Sequence, residues 1–105
     1  MNIEVAFDIL KNSIQANLAF SGKFGSIKFY PASSRYPRSV TAYYENDFSG
    51  GEITVYLNPD NACCEFEMLI NSNEKFISEN KEFNSKEELA EIVVSFCNAI
   101  AGENV

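Results

Sequence analysis

The chain has 105 residues, a formal net charge of −7 at pH 7, three cysteines and no histidine. This length fits a single domain at residues 1–105, and the hydrophobic fraction of 46% supplies enough material for a core. The missing histidine excludes serine or cysteine catalysis with a histidine base, and it removes the commonest metal ligand.

An amphipathic helix is predicted from Ile3 to Phe20. Asn2 is a suitable N-cap, and Gly22 is well placed to end the helix. The apolar residues recur at spacings of three and four, which places them on one face of the helix. They are Ile3, Ala6, Phe7, Leu10, Ile14 and Leu18.

Strands are predicted after Gly25, where the apolar period changes to two. Ile27 and Phe29 mark the first strand, and a loop with Arg35 and Arg38 follows it. Turn formers separate the later runs, at 46–51, 59–62 and 71–73, so an antiparallel meander is expected. We interpret Gly50 and Gly51 as a loop hinge. The later runs are Val40 to Glu45, Ile53 to Asn58, Cys63 to Asn71 and a weaker one from Lys75 to Phe83.

A second helix is predicted from a capping box, in which Ser85 accepts from the backbone of Glu88 and the Glu88 carboxylate reaches back to Ser85. Gly102 supplies the stop. The predicted fold class is α+β: an N-terminal helix, an antiparallel four- to five-stranded meander and a C-terminal helix, with both helices on one face. The buried stripe of the second helix is Leu89, Val93, Phe96 and Ile100.

The cysteines are expected to pack rather than to react. Cys63 and Cys64 are adjacent on a strand, so their side chains point to opposite faces and do not converge on a metal as separated pairs do. Cys97 lies near the buried stripe of the second helix. A Ser–Lys dyad stays open in principle, but no motif places one in a pocket. We therefore expect no catalytic residues, no metal and no cofactor.

The acidic residues are concentrated in the second part of the chain: residues 1–44 carry a net +3, and residues 45–105 carry −10. If the strands form a meander, most of these carboxylates form one patch opposite the core, where they either bind a cationic partner or only keep the protein soluble. The acids are Glu45, Asp47, Glu52, Glu65, Glu67, Glu74, Glu79 and Glu82.

Tyrosines are expected on the same face as the acids, because Tyr30, Tyr43 and Tyr56 alternate with the apolar strand residues. The alternative is that they lie beneath a helix, on the core side. Exposed tyrosines beside carboxylates are typical of protein interfaces. The candidate partner-binding residues are Glu65, Glu67, Glu79, Glu82, Glu45, Asp47, Glu52, Tyr43 and Tyr56.

In acidity, size and order of elements the chain resembles the small acidic bacterial toxin-immunity proteins of the contact-dependent growth inhibition type. Glu65-Phe66-Glu67 and Tyr56 are examples of the interface chemistry expected of them. The resemblance implies a non-enzymatic protein that neutralises a basic toxin, such as a nuclease, by covering its active site. A type III-like secretion chaperone and a phage-encoded DNA-mimic inhibitor are the alternatives.

The expected location is the cytoplasm. The N-terminal apolar residues are interrupted by Glu4, Asp8, Lys11 and Asn12, as they would not be in a signal peptide, and no apolar run approaches the length of a membrane span. An odd cysteine count suits a reducing compartment. We expect a basic protein partner, no nucleic acid or membrane partner, and a monomer or homodimer.

Overall fold

The order of elements is ααβββββα in a computed structural model that describes residues 1–70 and 75–103. The α+β fold and the five predicted strands are confirmed. The predicted turn at 71–73 and the acid Glu74 lie outside the described residues. The helices are α1 (Ile3–Ala16), α2 (Leu18–Lys23) and α3 (Lys86–Ala101), and the strands are β1 (Ser26–Tyr30), β2 (Ser39–Glu45), β3 (Ser49–Leu57), β4 (Ala62–Ile70) and β5 (Lys75–Glu82).

The strands form one antiparallel sheet in the order β1-β2-β3-β4-β5, which is the predicted meander. Strand β3 begins earlier than predicted, so Gly50 and Gly51 are ladder residues opposite Glu45 and Tyr44 rather than a hinge. Strands β3 and β4 lie so close together at Gly51 that only glycine fits, because a Cβ atom built there would overlap the carbonyl oxygen of Glu67 on β4.

The core lies between the sheet and the helices, which pack on one face, here called the covered face. Its centre includes an aromatic cluster in which the Phe20, Phe24 and Tyr44 ring centroids are 4.9–5.0 Å apart. The buried strand residues include Val40, Ala42, Tyr44, Ile53, Val55, Cys64, Phe66, Met68 and Ile70, and the buried helix residues include Ala6, Leu10, Ile14, Leu89, Val93, Phe96 and Ile100.

The predicted first helix is confirmed except for one interruption, because the chain breaks at Asn17 into α1 and α2. Asn17 Oδ1 accepts a hydrogen bond from the Phe20 amide at 3.0 Å, and its Nδ2 donates to Asn98 Oδ1 of α3 at 3.0 Å. The break brings Phe20 into the core and leaves Leu18, which was predicted to be buried, 82% exposed.

The caps agree with the sequence in most details. Asn2 Oδ1 accepts from the Val5 amide at 2.9 Å, and Ser85 Oγ accepts from the Glu88 amide at 3.1 Å. The Glu88 carboxylate accepts from the Asn84 amide at 3.4 Å, rather than from Ser85 as predicted. Among the helices described, none is long and apolar enough to cross a membrane.

Candidate binding face

The second face of the sheet, here called the open face, lies opposite the helices. Its members follow from the register, because directly opposed residues of antiparallel strands share a face. On this face Tyr30 is 50% exposed and Tyr43 is 47% exposed, so the tyrosines do not lie beneath a helix. The face consists of Ser26, Lys28, Tyr30, Ser39, Thr41, Tyr43, Glu45, Gly50, Glu52, Thr54, Tyr56, Cys63, Glu65, Glu67, Leu69, Phe76, Ser78, Asn80 and Glu82.

Most of the predicted binding residues occupy the open face, and Asp47 is exposed in the loop that joins β2 to β3. The predicted position of Glu79 was wrong. Glu79 is opposite Phe66 and therefore belongs to the covered face, where it lies 3.4 Å from Lys81. Residues three apart on a strand have opposite orientations, so Glu79 and Glu82 do not share a face.

Glu52 and Glu67 form a like-charge pair at the centre of the open face, because they are directly opposed on β3 and β4. Partial burial, followed by the charges of Glu67 and Glu65, raises the pKa of Glu52 above its ordinary value. The ion pairs found in residues 1–70 and 75–103 are Lys75–Glu103 and Lys81–Glu79, so this like-charge pair has no neutralising cation among them.

Glu65 differs from these two acids, since neighbouring side chains hold its carboxylate in place. The Tyr56 hydroxyl donates to Oε1 at 3.1 Å, and Asn80 Nδ2 donates to Oε2 at 3.2 Å. Burial, with this hydrogen bond next in importance, raises the pKa of Tyr56 to about 12. Glu65 and Tyr56 therefore organise the face, whereas Glu67 and Tyr43 are more exposed and free of such contacts within the described residues.

A groove of about 910 Å³ lies on the β1–β3 half of the open face, and we call it the tyrosine groove. Thr41 and Thr54 are directly opposed at its centre, with their hydroxyl oxygens 3.0 Å apart and Thr54 buried. The loop between β1 and β2 borders it. The lining is Ser26, Lys28, Tyr30, Pro31, Ala32, Ser33, Tyr36, Ser39, Thr41, Tyr43, Glu45, Glu52, Thr54 and Tyr56.

Three exposed apolar residues of this region were missed in the sequence: Phe48 is 62% exposed, Phe76 is 56% exposed and Leu69 is 43% exposed. They line a second, shallower depression of about 470 Å³ together with Glu52 and Glu67. Asn46 Oδ1 accepts from the amides of Phe48 and Ser49 at 2.9 Å, which shapes the loop that presents Phe48. The sequence contained one signal for this exposure: Leu69 is two residues after Glu67 on the same strand, so the two side chains point to the same face.

Residues 1–70 and 75–103 contain no group of three or more Cys, Asp or Glu side chains that could hold a metal ion. The thiols are all free and buried, and burial raises the pKa of Cys64 and raises the pKa of Cys97 to about 12, which keeps both protonated at neutral pH. Cys63 lies on the open face, opposite Tyr56, so the prediction that Cys63 and Cys64 point to opposite faces is confirmed.

The chain matches no protein-family model, and neither the curated proteins nor the solved structures contain a significant match to it.

Proposed function

We propose that this protein is a non-enzymatic inhibitor that binds a basic protein through its open face, in the manner of a cytoplasmic immunity protein against a bacterial toxin. The observation that carries the proposal is the combination, on one uncovered sheet face, of the Glu52–Glu67 pair with exposed aromatic residues. Aromatic anchors surrounded by polar groups are the usual composition of a protein interface.

Binding of a cationic surface would relieve the repulsion between Glu52 and Glu67 that destabilises the free protein. Directly opposed like charges on neighbouring strands destabilise a sheet, by an amount similar to other cross-strand pairs, about 0.2–1 kcal/mol. A partner lysine or arginine near Glu52 and Glu67 turns this repulsion into attraction. The acidic face also speeds encounter with a basic surface.

A nuclease toxin is a suitable target, because a protein that holds a phosphate backbone needs a basic active site. The open face would cover such a site, with Glu67, Glu52 and Glu45 steering and pairing and Tyr43 anchoring. Asp47 and Glu82 lie at the margins of the face and would add to steering. Tyr56 and Glu65 would hold their neighbours in position.

A secretion chaperone is the second candidate, and the exposed apolar residues Phe48, Leu69 and Phe76 favour it. Such a chaperone holds an unfolded segment of its client on apolar surface. It would be an obligate homodimer, whereas an inhibitor can act as a monomer. Light scattering that shows a monomer across a range of protein concentrations would contradict the chaperone function.

The test of the inhibitor uses Glu67→Lys, with Glu91→Lys on α3 as a control that has the same change in charge. The tagged proteins are used to capture partners from the native host, and the captured protein is then purified. Lysine at position 67 faces Glu52 and would pair with it, so this variant should fold at least as stably as the wild type. We expect one basic protein in stoichiometric amount, lost with Glu67→Lys and retained with Glu91→Lys.

The association rate of the purified pair supplies the second readout. The Debye length falls from about 30 Å at 0.01 M salt to about 8 Å at 0.15 M salt, so we expect the rate to fall by about tenfold or more over this range. A rate that does not depend on salt, or equal capture by both lysine variants, would overturn the proposal.

A further inference from the structure

The tyrosine groove combines aromatic rings with hydroxyl groups, and attraction to a basic surface does not by itself require this combination. Tyr30, Tyr43 and Tyr56 come from three adjacent strands and surround the Thr41–Thr54 pair. In the sheet, Tyr30 is opposite Thr41, whereas Tyr43 and Tyr56 are each two residues from one member of the threonine pair. The groove therefore has a hydroxyl floor and aromatic side walls.

A carboxylate stands at the same groove. Glu52 is directly opposed to Tyr43 on one side and to Glu67 on the other, and it lines the groove together with Glu45. Lys28, which is opposed to Tyr43 on its other side, is the one cation in the lining. Two carboxylates against one ammonium leave the lining with a net negative charge.

From this arrangement we infer that the tyrosine groove binds an extended, arginine-bearing segment of the partner, with the guanidinium between Tyr43 and Glu52. This inference rests on the proposed function and names the partner chemistry of the same face. Arginine is favoured over lysine for two reasons. Its planar guanidinium stacks on an aromatic ring, and its fork of donors pairs with a carboxylate through two hydrogen bonds.

The size of the groove and its lining set the form of the ligand. Pockets that enclose a small ligand occupy about 300–1,000 Å³, and this groove, at about 910 Å³, therefore has room for more than one side chain. The Thr41, Thr54, Ser26 and Ser39 hydroxyls offer donors and acceptors to the main chain of an extended segment.

The test is a titration followed by amide chemical shifts, with two acetylated peptides as probes: Gly-Ser-Arg repeats and the matching Gly-Ser-Lys repeats. We expect saturable shifts centred on Thr41, Tyr43 and Thr54 with the arginine peptide. The lysine peptide should bind about fivefold more weakly, because it lacks the stacking and the paired hydrogen bonds.

Two variants and a control locate the binding. Tyr43→Leu keeps an apolar side chain but removes the aromatic face, so the preference for arginine should disappear. Glu52→Gln should weaken the arginine peptide about fivefold. Glu91→Gln makes the same change in charge on α3, away from the open face and the groove lining, and it should leave the affinity unchanged.

The outcomes separate this inference from the proposed function. Equal binding of both peptides, or shifts centred on Phe48 and Phe76, would overturn the arginine groove while leaving a basic partner on the open face. Shifts at Thr41 and Thr54 on dilution of the protein alone would show that a second copy occupies the groove, and would also overturn the inference. If the arginine peptide binds selectively but the native partner still binds Glu67→Lys, the groove inference is supported and the proposed acidic interface is contradicted.

Discussion

Tyr43 and Tyr44 are neighbours in the chain, yet they belong to surfaces with opposite physical requirements. Tyr44 lies on the covered face with no exposed surface, and its hydroxyl donates to the Glu67 carbonyl at 2.9 Å. Tyr43 is 47% exposed on the open face, and no hydrogen bond of its side chain is found in the described residues. Burial accordingly raises the pKa of Tyr44.

The two faces of the sheet repeat this difference. In the described residues no buried side-chain nitrogen or oxygen lacks a hydrogen-bond partner, as a stable core requires. The open face instead keeps a like-charge pair and exposed aromatic rings, neither of which by itself stabilises the folded protein. The covered face thus meets the requirements of a stable core, and the open face keeps the features that the proposed binding function requires.

The largest expected effect tests how closely the covered face is built. Gly51→Ala should lower the free energy of unfolding by about 3 kcal/mol, because the new methyl group meets the backbone of β4 at Glu67 and the strands must separate. Urea unfolding measures the loss. The control is Gly22→Ala in α2, where no neighbouring atom lies within 4 Å, and a gain of about 0.5–1 kcal/mol is expected. Equal effects of the two variants would contradict the close packing at Gly51.

A smaller effect separates the two tyrosines directly. Tyr44→Phe removes the buried hydroxyl bonded to the Glu67 carbonyl and should cost about 1–2 kcal/mol, whereas Tyr43→Phe should change the free energy of unfolding by less than about 0.5 kcal/mol. Thermal and urea unfolding of both variants provide the measurement. A cost at Tyr43 as large as at Tyr44 would mean that the open face also stabilises the fold.

The smallest effect concerns the like-charge pair. The pKa of Glu52 is raised in the folded state, so the fold binds its proton more tightly than the unfolded chain does. Glu52 therefore contributes most favourably to stability at low pH. Its contribution falls as the pH rises from the ordinary pKa of glutamate through the raised pKa of the folded state. Glu52→Gln should match the wild type below about pH 4 and be more stable at about pH 8, by about 0.2–1 kcal/mol.

Urea unfolding of both proteins across this pH range checks the prediction. Glu82→Gln is the control, because no other acid of the open face is directly opposed to it and its partner across the strands is Cys63. The difference between Glu52→Gln and the wild type should change more over this range than the difference between Glu82→Gln and the wild type. A difference at Glu52 that changes no more than the control would show that the charge of Glu67 does not act on Glu52.

Much of the architecture was predictable because it depends on local patterns. The alternation in β4 correctly assigned Phe66 and Met68 to the core and Glu65 and Glu67 to the other face. The Ser85 cap and the buried stripe of α3 were likewise visible in short segments. The misplacement of Glu79 came from grouping acids by strand without following the strand's alternation.

Other features depended on contacts between distant residues, which periodicity does not reveal. The break at Asn17 is supported by a hydrogen bond to Asn98, 81 residues away in the chain. The carboxylate of Glu65 is held by Asn80 of the next strand as well as by Tyr56. The tyrosine groove needs three strands in register and a loop beside them.

The sequence by itself determined the strands, most of the helices and the acidic character of the second part of the chain, because these follow from side-chain period, capping and composition. Only the tertiary structure decided that Glu52 opposes Glu67, that Glu65 is held in place while Glu67 is more exposed, and that the tyrosines surround a groove. The physical reason is that cross-strand register brings together residues that local pattern leaves independent.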